Sequence, residues 1–405
     1  MDVSGSRVGI VGGSIAGCGA AIGLGRLGCD VTVFERSSGA LRDRGSGIAI
    51  PIPLRDDLIA NGYLPADYAC WRAVGRRWIG ADGSDAGRTV WEQPGAAVTN
   101  NWGVLWRALR ARVPDDRYRD GSHVVGVDET DGGVEVHLEG GDPERFDVVL
   151  GADGYRSLVR GLVHPGSKPQ YAGYVLWRGN FPESQLSDRR AWDHILESET
   201  WLTVGFDGGH GIMYPIPEFA ELGDGLRVNW AIYSPTPPDL ELTGPSSIPP
   251  GAVDAPVYAH LERLRETAIP PDLQPVFAGS IEEVSIQPIY DETVDRYVRG
   301  HLALLGDAAT LSRPHTGSGA TKALQDARTL ETLGAEHDTW ESLLAAYDDD
   351  RTPGGQSLVE LGRRIGRDQV EATPPWLDMT PDDFDAWTKG SLSGQQLYFY
   401  GGSDD

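Results

Sequence analysis

The sequence predicts an α/β protein in which a parallel-sheet domain is interrupted by a mostly antiparallel β-sheet domain and followed by C-terminal helices. Three observations predict it. An apolar strand, a glycine-rich turn and a helix of small residues open the chain. Two further strand-to-turn segments carrying Gly and Asp lie far downstream, around Gly151 and Gly306. Between them, from about residue 168 to 287, short strand-like runs recur between proline clusters.

The first segment leads from apolar residues 7–11 through Gly12-Gly13-Ser14-Ile15-Ala16-Gly17 into residues 15–27, where Ala, Gly and Leu have helical spacing. A strand, a tight glycine turn and a helix N-terminus make a pyrophosphate cradle, because free backbone N–H groups and the helix dipole both face the anion. Residues 30–35 read as a second buried strand. It ends in Glu35, at the distance expected of a carboxylate that hydrogen-bonds an adenosine ribose. The expectation is a Rossmann-like dinucleotide turn. It departs from G-x-G-x-x-G at Ser14, which is small and whose hydroxyl is itself able to bond phosphate. On this segment alone, an ordinary βαβ turn without a ligand is the alternative.

The other elements follow in order. A loop carries Gly45 and Gly47, and residues 71–97 alternate as short strands, 77–79 and 88–91, around a turn at Asp82-Gly83. Residues 102–113 are helical, and strands between 123 and 153 lead into the segment around Gly151. Runs at 175–179, 201–205, 211–215 and 226–234 make the sheet of a substrate domain, with prolines at 235–238 and 249–250 marking loops. The buried strand Leu302-Ala303-Leu304-Leu305 returns the chain to the first domain. The last sixty or so residues read as helices with a break at Pro374-Pro375 and a polar tail. The expected division is 1–70, 98–167 and 288–345 for cofactor binding, 71–97 and 168–287 for substrate, and 346–405 for the C-terminal helical segment and tail.

The second and third segments carry a resemblance. Residues 147–160 read DVVLGADGYRSLVR, and residues 306–327 read GDAATLSRPHTGSGATKALQDA. These resemble the DG and GD fingerprints of the class A flavoprotein (FAD-dependent) aromatic monooxygenases, the para-hydroxybenzoate hydroxylase type. Within that family the likeness is to the 2,6-dihydroxypyridine 3-hydroxylase subgroup. It rests on VGGSIAG, FERS at 34–37, GSGI at 45–48, YAGYVLWRG at 171–179, YPIP at 214–217 and RPH at 313–315. Three positions depart from the family pattern. Thr310 replaces the usual His, Thr321 the usual Asn, and Trp102 stands where many members carry an FAD-contacting Arg.

The resemblance implies FAD as cofactor and NAD(P)H as co-substrate. Asp307 takes the ribityl role, and the helix N-terminus at Gly317, Gly319 and Ala320 faces the flavin pyrimidine. Arg36, Gly47 and Asp153 complete the expected FAD set with Gly12 to Gly17 and Glu35. It further implies hydroxylation of an electron-rich aromatic or heteroaromatic small molecule through a flavin C4a-hydroperoxide, with NAD(P)H using a transient site because no second dinucleotide turn is present.

His315, after Pro314 in the loop folded over the flavin, is expected to hydrogen-bond a ring hydroxyl or accept its proton. The alternative is a loop His that only packs. Tyr214, Trp177, Trp230 and Tyr233 lie on substrate-domain strands, where aromatic residues are more often core than ligand. Tyr214 is the second catalytic candidate, and Trp177, Trp230 and Pro314 are the substrate-binding candidates. Arg178 reads as a buried ion-pair partner or a substrate clamp, and His210 as a loop residue.

Composition fits. At 405 residues the chain is long enough for two or three domains and a sizeable core. There is no apolar run of about 20 residues, so no membrane span is expected. The first strand follows the N-terminus closely, without the charged and apolar regions of a signal peptide. Three cysteines without metal or redox spacing fit reduced thiols and a cytoplasmic location. The net charge of −25 argues against nucleic acid and anionic membranes. The nine histidines are scattered, so no metal site is expected. The expected partners are O₂, NAD(P)H and a small aromatic substrate, and a homodimer is allowed. Two rival readings are another flavin oxidation on the same scaffold, such as epoxidation, and a flavin-fold protein that binds a small molecule without turnover.

Overall fold

The structure is a computed structural model that describes residues 1–39, 46–219, 225–242, 244, 246–279 and 282–392. Gly45 lies outside the described residues.

Its first sheet has six strands, in the order Val298–Arg299, Leu302–Leu304, Val148–Gly151, Arg7–Val11, Asp30–Phe34 and Tyr118–Arg119. All neighbours are parallel except the first pair. The central strands are apolar at nearly every position because both faces are covered, as parallel sheets require. Helices Ile15–Arg26 and Gly319–Gly334 pack against each other through small residues: a Cβ at Gly19 would lie 2.9 Å from Ala327 Cβ.

Register explains why three distant segments meet. Val11 pairs with Phe34 and Gly151, and Gly151 pairs with Leu304. Four strands therefore end at one edge. Immediately after those ends come Gly12, Glu35, Ala152-Asp153 and Leu305-Gly306-Asp307. The carboxyl edge of a parallel sheet is where such folds bind ligands.

The second sheet has eight strands, in the order Ser285–Asp291, Gln170–Pro182, Leu226–Pro235, Gly209–Pro217, Thr200–Phe206, Trp71–Gly80, Arg88–Asn101 and Gly47–Pro51. It is antiparallel except between Thr200–Phe206 and Trp71–Gly80. One face packs against helices Arg190–Ser198 and Ala255–Ala268 through Val175, Trp177, Met213, Trp230 and Ile232. Tyr174, Leu176, Tyr233 and Ile289 form a separate cluster on the other face. A three-stranded sheet of Val124–Thr130, Gly133–Leu138 and Glu144–Phe146 precedes strand Val148–Gly151.

Some elements differ from expectation. The short strands at 77–79 and 88–91 are parts of long strands, Trp71–Gly80 and Arg88–Asn101. Register shifts between Ala73 and Gly75 and between Trp78 and Ile79 interrupt the alternation that a sequence pattern relies on. Residues 47–51, expected as loop, form an edge strand of the eight-stranded sheet. The boundary drawn at residue 97 thus falls inside a strand. Helix Trp340–Gly366 runs through Pro353 and ends in a π-helical turn, Arg367–Glu371. No helix among the described residues is long and apolar enough to cross a membrane.

Candidate active site

A cavity of about 1450 Å³ runs from the carboxyl edge of the parallel sheet to the inner face of the eight-stranded sheet. Gly12, Ser14, Glu35 and Arg36 line one end, Asp153, Asp307 and Gly317 to Ala320 the middle, and His210, Tyr214, Tyr233 and His315 the other end.

The first end is built by close backbone approach. Gly12 has φ +103°, and a Cβ there would lie 2.4 Å from Ala152 O. Gly17 lets the helix sit on the turn, since a Cβ would lie 1.9 Å from Gly12 O. Gly13 is turned away from the cavity: its carbonyl accepts from Trp106 Nε1 and Tyr118 Oη at 2.9 and 3.0 Å. Gly13 and Gly17, expected as cofactor contacts, therefore shape the turn while Gly12, Ser14, Ile15 and Ala16 line the cavity. Glu35 accepts from the Gly13 and Ser37 N–H groups, both at 2.9 Å, so it braces the turn as well as facing the cavity.

Two helix N-termini open onto this space, at Ser14 and Ser318, and neither N-cap side chain bonds its own helix. Uncapped N–H groups at a cavity wall suit an anionic or strongly accepting ligand. Between them the Asp307 carboxylate has no hydrogen-bond partner among the described residues. It is accessible from the cavity, yet enough protein surrounds it that burial raises its pKa, against the attraction of Lys322 and Arg160. An unpartnered carboxylate between two open helix ends fits a polyhydroxyl chain flanked by pyrophosphate and a flavin ring. The residues present therefore fit FAD.

Asp153 is spent on its own turn. It accepts from Ser157 Oγ at 2.5 Å and Leu158 N at 2.7 Å. Arg160, unassigned by sequence, ties the two Asp-bearing turns together. It donates to the carbonyls of Asp307, Ala308 and Tyr155 and lies 3.0 Å from Glu292 Oε2. A buried pair holds the Gly306 turn from behind. Lys322 Nζ is 2.7 Å from Asp326 Oδ2 and donates to Gly306 O, while Gly306 N and Arg351 Nε donate to Asp326. The four-residue spacing of Lys322 and Asp326 was visible in the sequence; Arg351 was not. Thr310, replacing the family His, bonds the Tyr297 hydroxyl at 2.6 Å. Trp102 lines the cavity wall.

At the far end, His315 is buried. Its Nε2 is 2.8 Å from Tyr174 Oη, and its ring stacks on Tyr233 at 4.0 Å. His210 stacks on the other end of this group, 4.6 Å from Tyr233, and is a strand residue instead of the loop residue expected. Burial, then His210, Arg313 and Arg76, hold the His315 pKa well below the usual value. His210 is pushed down to about 3, by burial first and Arg76 second. Both shifts favour the neutral ring, which disfavours His315 as a proton acceptor and leaves hydrogen bonding as its chemistry. Tyr214 lines the cavity with its ring 5.6 Å from Trp201, and burial raises its pKa while Arg178 opposes. Arg178 lines the cavity too; its buried Nε has no hydrogen-bond partner, so the ion pair expected of it is absent among the described residues.

Pro314, Gly47, Arg36, Gly319 and Ala320 also line the cavity. One substrate candidate, Trp177, needs correction, and Trp230 meets the cavity only in part. Trp177 is on the opposite face: it is fully buried, donates to Ser234 Oγ at 3.0 Å and stacks on His260. Trp230 borders the cavity, but its side chain belongs to the outer-face core and donates to Ala278 O.

The site's residues give a prediction. Asp307→Ala should weaken FAD at least tenfold, the cost of leaving a polar flavin group unpaired. Glu35→Ala should weaken it by loosening the turn. Titration of the apoprotein with FAD, followed by flavin fluorescence, reads both; unchanged affinity in both variants would count against this assignment of the cavity.

Comparison with known proteins follows this geometry. Residues 260–361 match the family model described as FAD binding domain, and residues 7–50 match pyridine nucleotide-disulphide oxidoreductase. The chain is similar to 2,6-dihydroxypyridine 3-monooxygenase of Paenarthrobacter nicotinovorans, 31% identical over 85% of this chain and 86% of that one. It is 28% identical to salicylate hydroxylase of Pseudomonas putida over 86% of this chain and 82% of that one. The solved structure of 2,6-dihydroxypyridine-3-hydroxylase from Arthrobacter nicotinovorans superposes with a TM-score of 0.82, at 26% identity, covering 93% of this chain and 95% of that one. Klebsiella pneumoniae HpxO, complexed with FAD and uric acid, shares the fold at a TM-score of 0.73 and 20% identity, covering 95% and 92%.

Proposed function

The chain belongs to the FAD-dependent aromatic monooxygenases, and from that premise we propose that it hydroxylates a small hydroxylated pyridine or phenol held between the inner face of its eight-stranded sheet and the loop carrying Pro314 and His315. The class activity uses FAD, NAD(P)H and O₂. The observation that carries the narrower reading is the shared cavity: the uncapped helix ends that fit FAD and the group of His315, Tyr233, His210 and Tyr214 line one continuous space.

Bound at this site, FAD would supply electron transfer from NAD(P)H and activation of O₂ for transfer to an electron-rich ring carbon. The chain's own groups do the rest. Gly12, Ser14, Ile15 and Ala16 and the helix end at Gly317 to Ala320 would hold the cofactor, with Asp307 on its ribityl chain. His315, neutral and stacked on Tyr233, would orient a ring oxygen. Tyr214 and Arg178 supply polar groups on the floor, and the surrounding apolar and aromatic side chains limit water. The three thiols, all free, are compatible with a reducing cytoplasm.

The test is a substrate screen on the FAD-loaded protein. 2,6-Dihydroxypyridine, salicylate and 3-amino-4-hydroxybenzoate are first choices because relatives bear those names. A true substrate should raise NAD(P)H consumption and yield a product with one added oxygen by mass spectrometry, with loss of CO₂ as well where the hydroxylated carbon bore a carboxylate. Flavin-bound protein that shows no stimulated NAD(P)H oxidation with any phenol or hydroxypyridine would favour the binding-protein alternative.

A further inference from the structure

The hydrogen-bond inventory around His315 decides which ring nitrogen carries the hydrogen. Tyr174 Oη lies 2.8 Å from His315 Nε2 and 3.3 Å from Arg313 Nη1. A tyrosine hydroxyl has one hydrogen to give and lone pairs to accept with; a guanidinium only donates. Arg313 is fixed in place, with Nε 2.8 Å from Asp291 Oδ2 and Nη1 2.6 Å from Glu371 Oε1. Arg363 braces Asp291 from its other oxygen at 2.6 Å. Tyr174 therefore accepts from Arg313, and its single hydrogen has one acceptor within reach among the described residues, His315 Nε2. No room is left beside the hydroxyl on the helix side, where a Cβ at Gly366 would lie 2.3 Å away. With the ring hydrogen on Nδ1, Nε2 accepts the Tyr174 hydrogen and the hydroxyl is satisfied on both sides; with it on Nε2, Tyr174 would accept twice and its own hydrogen would have no acceptor among the described residues, so the arrangement favours Nδ1–H. Nδ1 is buried without a partner among the described residues, on a side chain that lines the cavity.

We propose that Tyr174 and Arg313 are positioning residues that hold His315 as its Nδ1–H tautomer, so that the site takes its substrate by an oxo or oxyanion oxygen on the aromatic ring and not by a hydroxyl hydrogen. The inference rests on the reading that places substrate beside His315, and it narrows that reading to the pyridone or phenolate form of the ring. Burial together with His210, Arg313 and Arg76 keeps the imidazole neutral, which a fixed tautomer requires. Orientation is fixed as well: the ring is pinned by the Tyr233 stack on one side and the Tyr174 hydroxyl at one edge.

The first measurement needs no substrate. The FAD-loaded enzyme is labelled with ¹⁵N-imidazole histidine, and the His315 signals are assigned by their loss in His315→Asn. Wild type should show Nδ1–H, and Tyr174→Phe should show an Nε2–H or mixed population. An Nε2–H form in wild type overturns the proposal, even if Tyr174→Phe fails to fold.

The second measurement uses 2-pyridone, whose oxo oxygen is an acceptor, as the probe. Its dissociation constant is read from the flavin absorbance change, with FAD content checked in each variant. His315→Ala and Tyr174→Phe should each weaken 2-pyridone about tenfold, the loss of one directed hydrogen bond. His315→Asn should recover most of this, because its amide N–H takes the place of Nδ1–H. Wild-type protein that does not bind 2-pyridone overturns recognition through an acceptor. If His315→Ala binds the probe as wild type does, the reading of the substrate site fails. If His315→Ala weakens it while Tyr174→Phe leaves both affinity and tautomer unchanged, the positioning role alone fails and the site stands.

Discussion

Asp326→Ala is expected to destabilise the protein by about 3–5 kcal/mol, the usual cost of stranding a buried charge. Asp326 is fully buried and holds three groups at once: Lys322 Nζ, Arg351 Nε and the Gly306 N–H. Removing it leaves the Lys322 ammonium, itself 1% exposed, with the Gly306 carbonyl and the face of Tyr297 as its contacts among the described residues. The Gly306 turn would lose its support from behind, and that turn carries Asp307. Denaturant unfolding should therefore show a lower midpoint, and FAD affinity should fall with it. The pH dependence has a definite sign. Burial alone would raise the Asp326 pKa, but Lys322 and Arg351 outweigh it and the folded value is lowered. A lowered carboxylate pKa contributes stability above the unfolded value of about 4, lost as pH falls through the folded one. Lys322, raised by Asp326 against burial, contributes below its unfolded value of about 10 and loses that contribution as pH rises through the folded one. The wild type should thus lose more stability than Asp326→Ala on acidification below about pH 4. A midpoint within error of wild type at neutral pH would mean that the turn is held by something other than this network.

What the sequence made legible was local. GGSIAG, the turn after Gly151 and the turn after Gly306 are each written in consecutive residues, since a backbone that must approach a ligand closely can be built only from Gly, Ala or Ser at fixed spacing. Their convergence could be expected from the fold class, because parallel strands place their carboxyl ends on one edge. The roles within a motif were less legible. Gly13 and Gly17 match the pattern as well as Gly12 does, but the structure turns the Gly13 carbonyl onto Trp106 and Tyr118, and Gly17 onto the Gly12 carbonyl. Trp106, Tyr118 and Arg351 lie 93, 105 and 25 residues from the groups they bond, a separation no local pattern encodes.

The substrate wall was harder for a different reason. In strand Gln170–Pro182 the side chains alternate, so Leu176 and Arg178 line the cavity while Val175 and Trp177 enter the opposite core. Which set faces inward depends on register, and a one-residue change reverses every assignment. The strand is irregular between Tyr171 and Val175, so its start gave no reliable phase. Trp177, an aromatic residue expected at the substrate, lies on the face away from the cavity. The role of Tyr174 is not written in its own segment, since its partners Arg313 and His315 come from the Gly306 segment, 139 and 141 residues away.

His315→Ala should retain FAD and lower hydroxylation of the true substrate about 10- to 100-fold at neutral pH, with much of the loss recovered in alkaline solution. Electron density leaves the ring oxygen as the ring carbon attacks, so a donor to that oxygen does not favour the attack itself. Its benefit is earlier: a hydrogen bond from His315 Nδ1 favours the ionised ring, the form that reacts. Hydrogen bonds to charged groups are worth about 1.5–3 kcal/mol, which corresponds to about one to two pKa units on the bound substrate. Without the donor, the bound ring holds its proton to higher pH, and turnover below that pH falls by the same factor. The His315 pKa is held well below its usual value, first by burial and then by His210, Arg313 and Arg76. The acid limb of the wild-type rate profile is then expected to follow the substrate's ionisation, and in the variant it should move upward by one to two units. Poorer ring orientation should also raise the fraction of NAD(P)H lost to H₂O₂. The measurement is product formed per NAD(P)H consumed across a pH series, for wild type and variant side by side. A parallel drop at every pH, with no displacement of the acid limb, would assign His315 to holding the loop in shape and leave the ionisation of the ring to Arg178 and Tyr214.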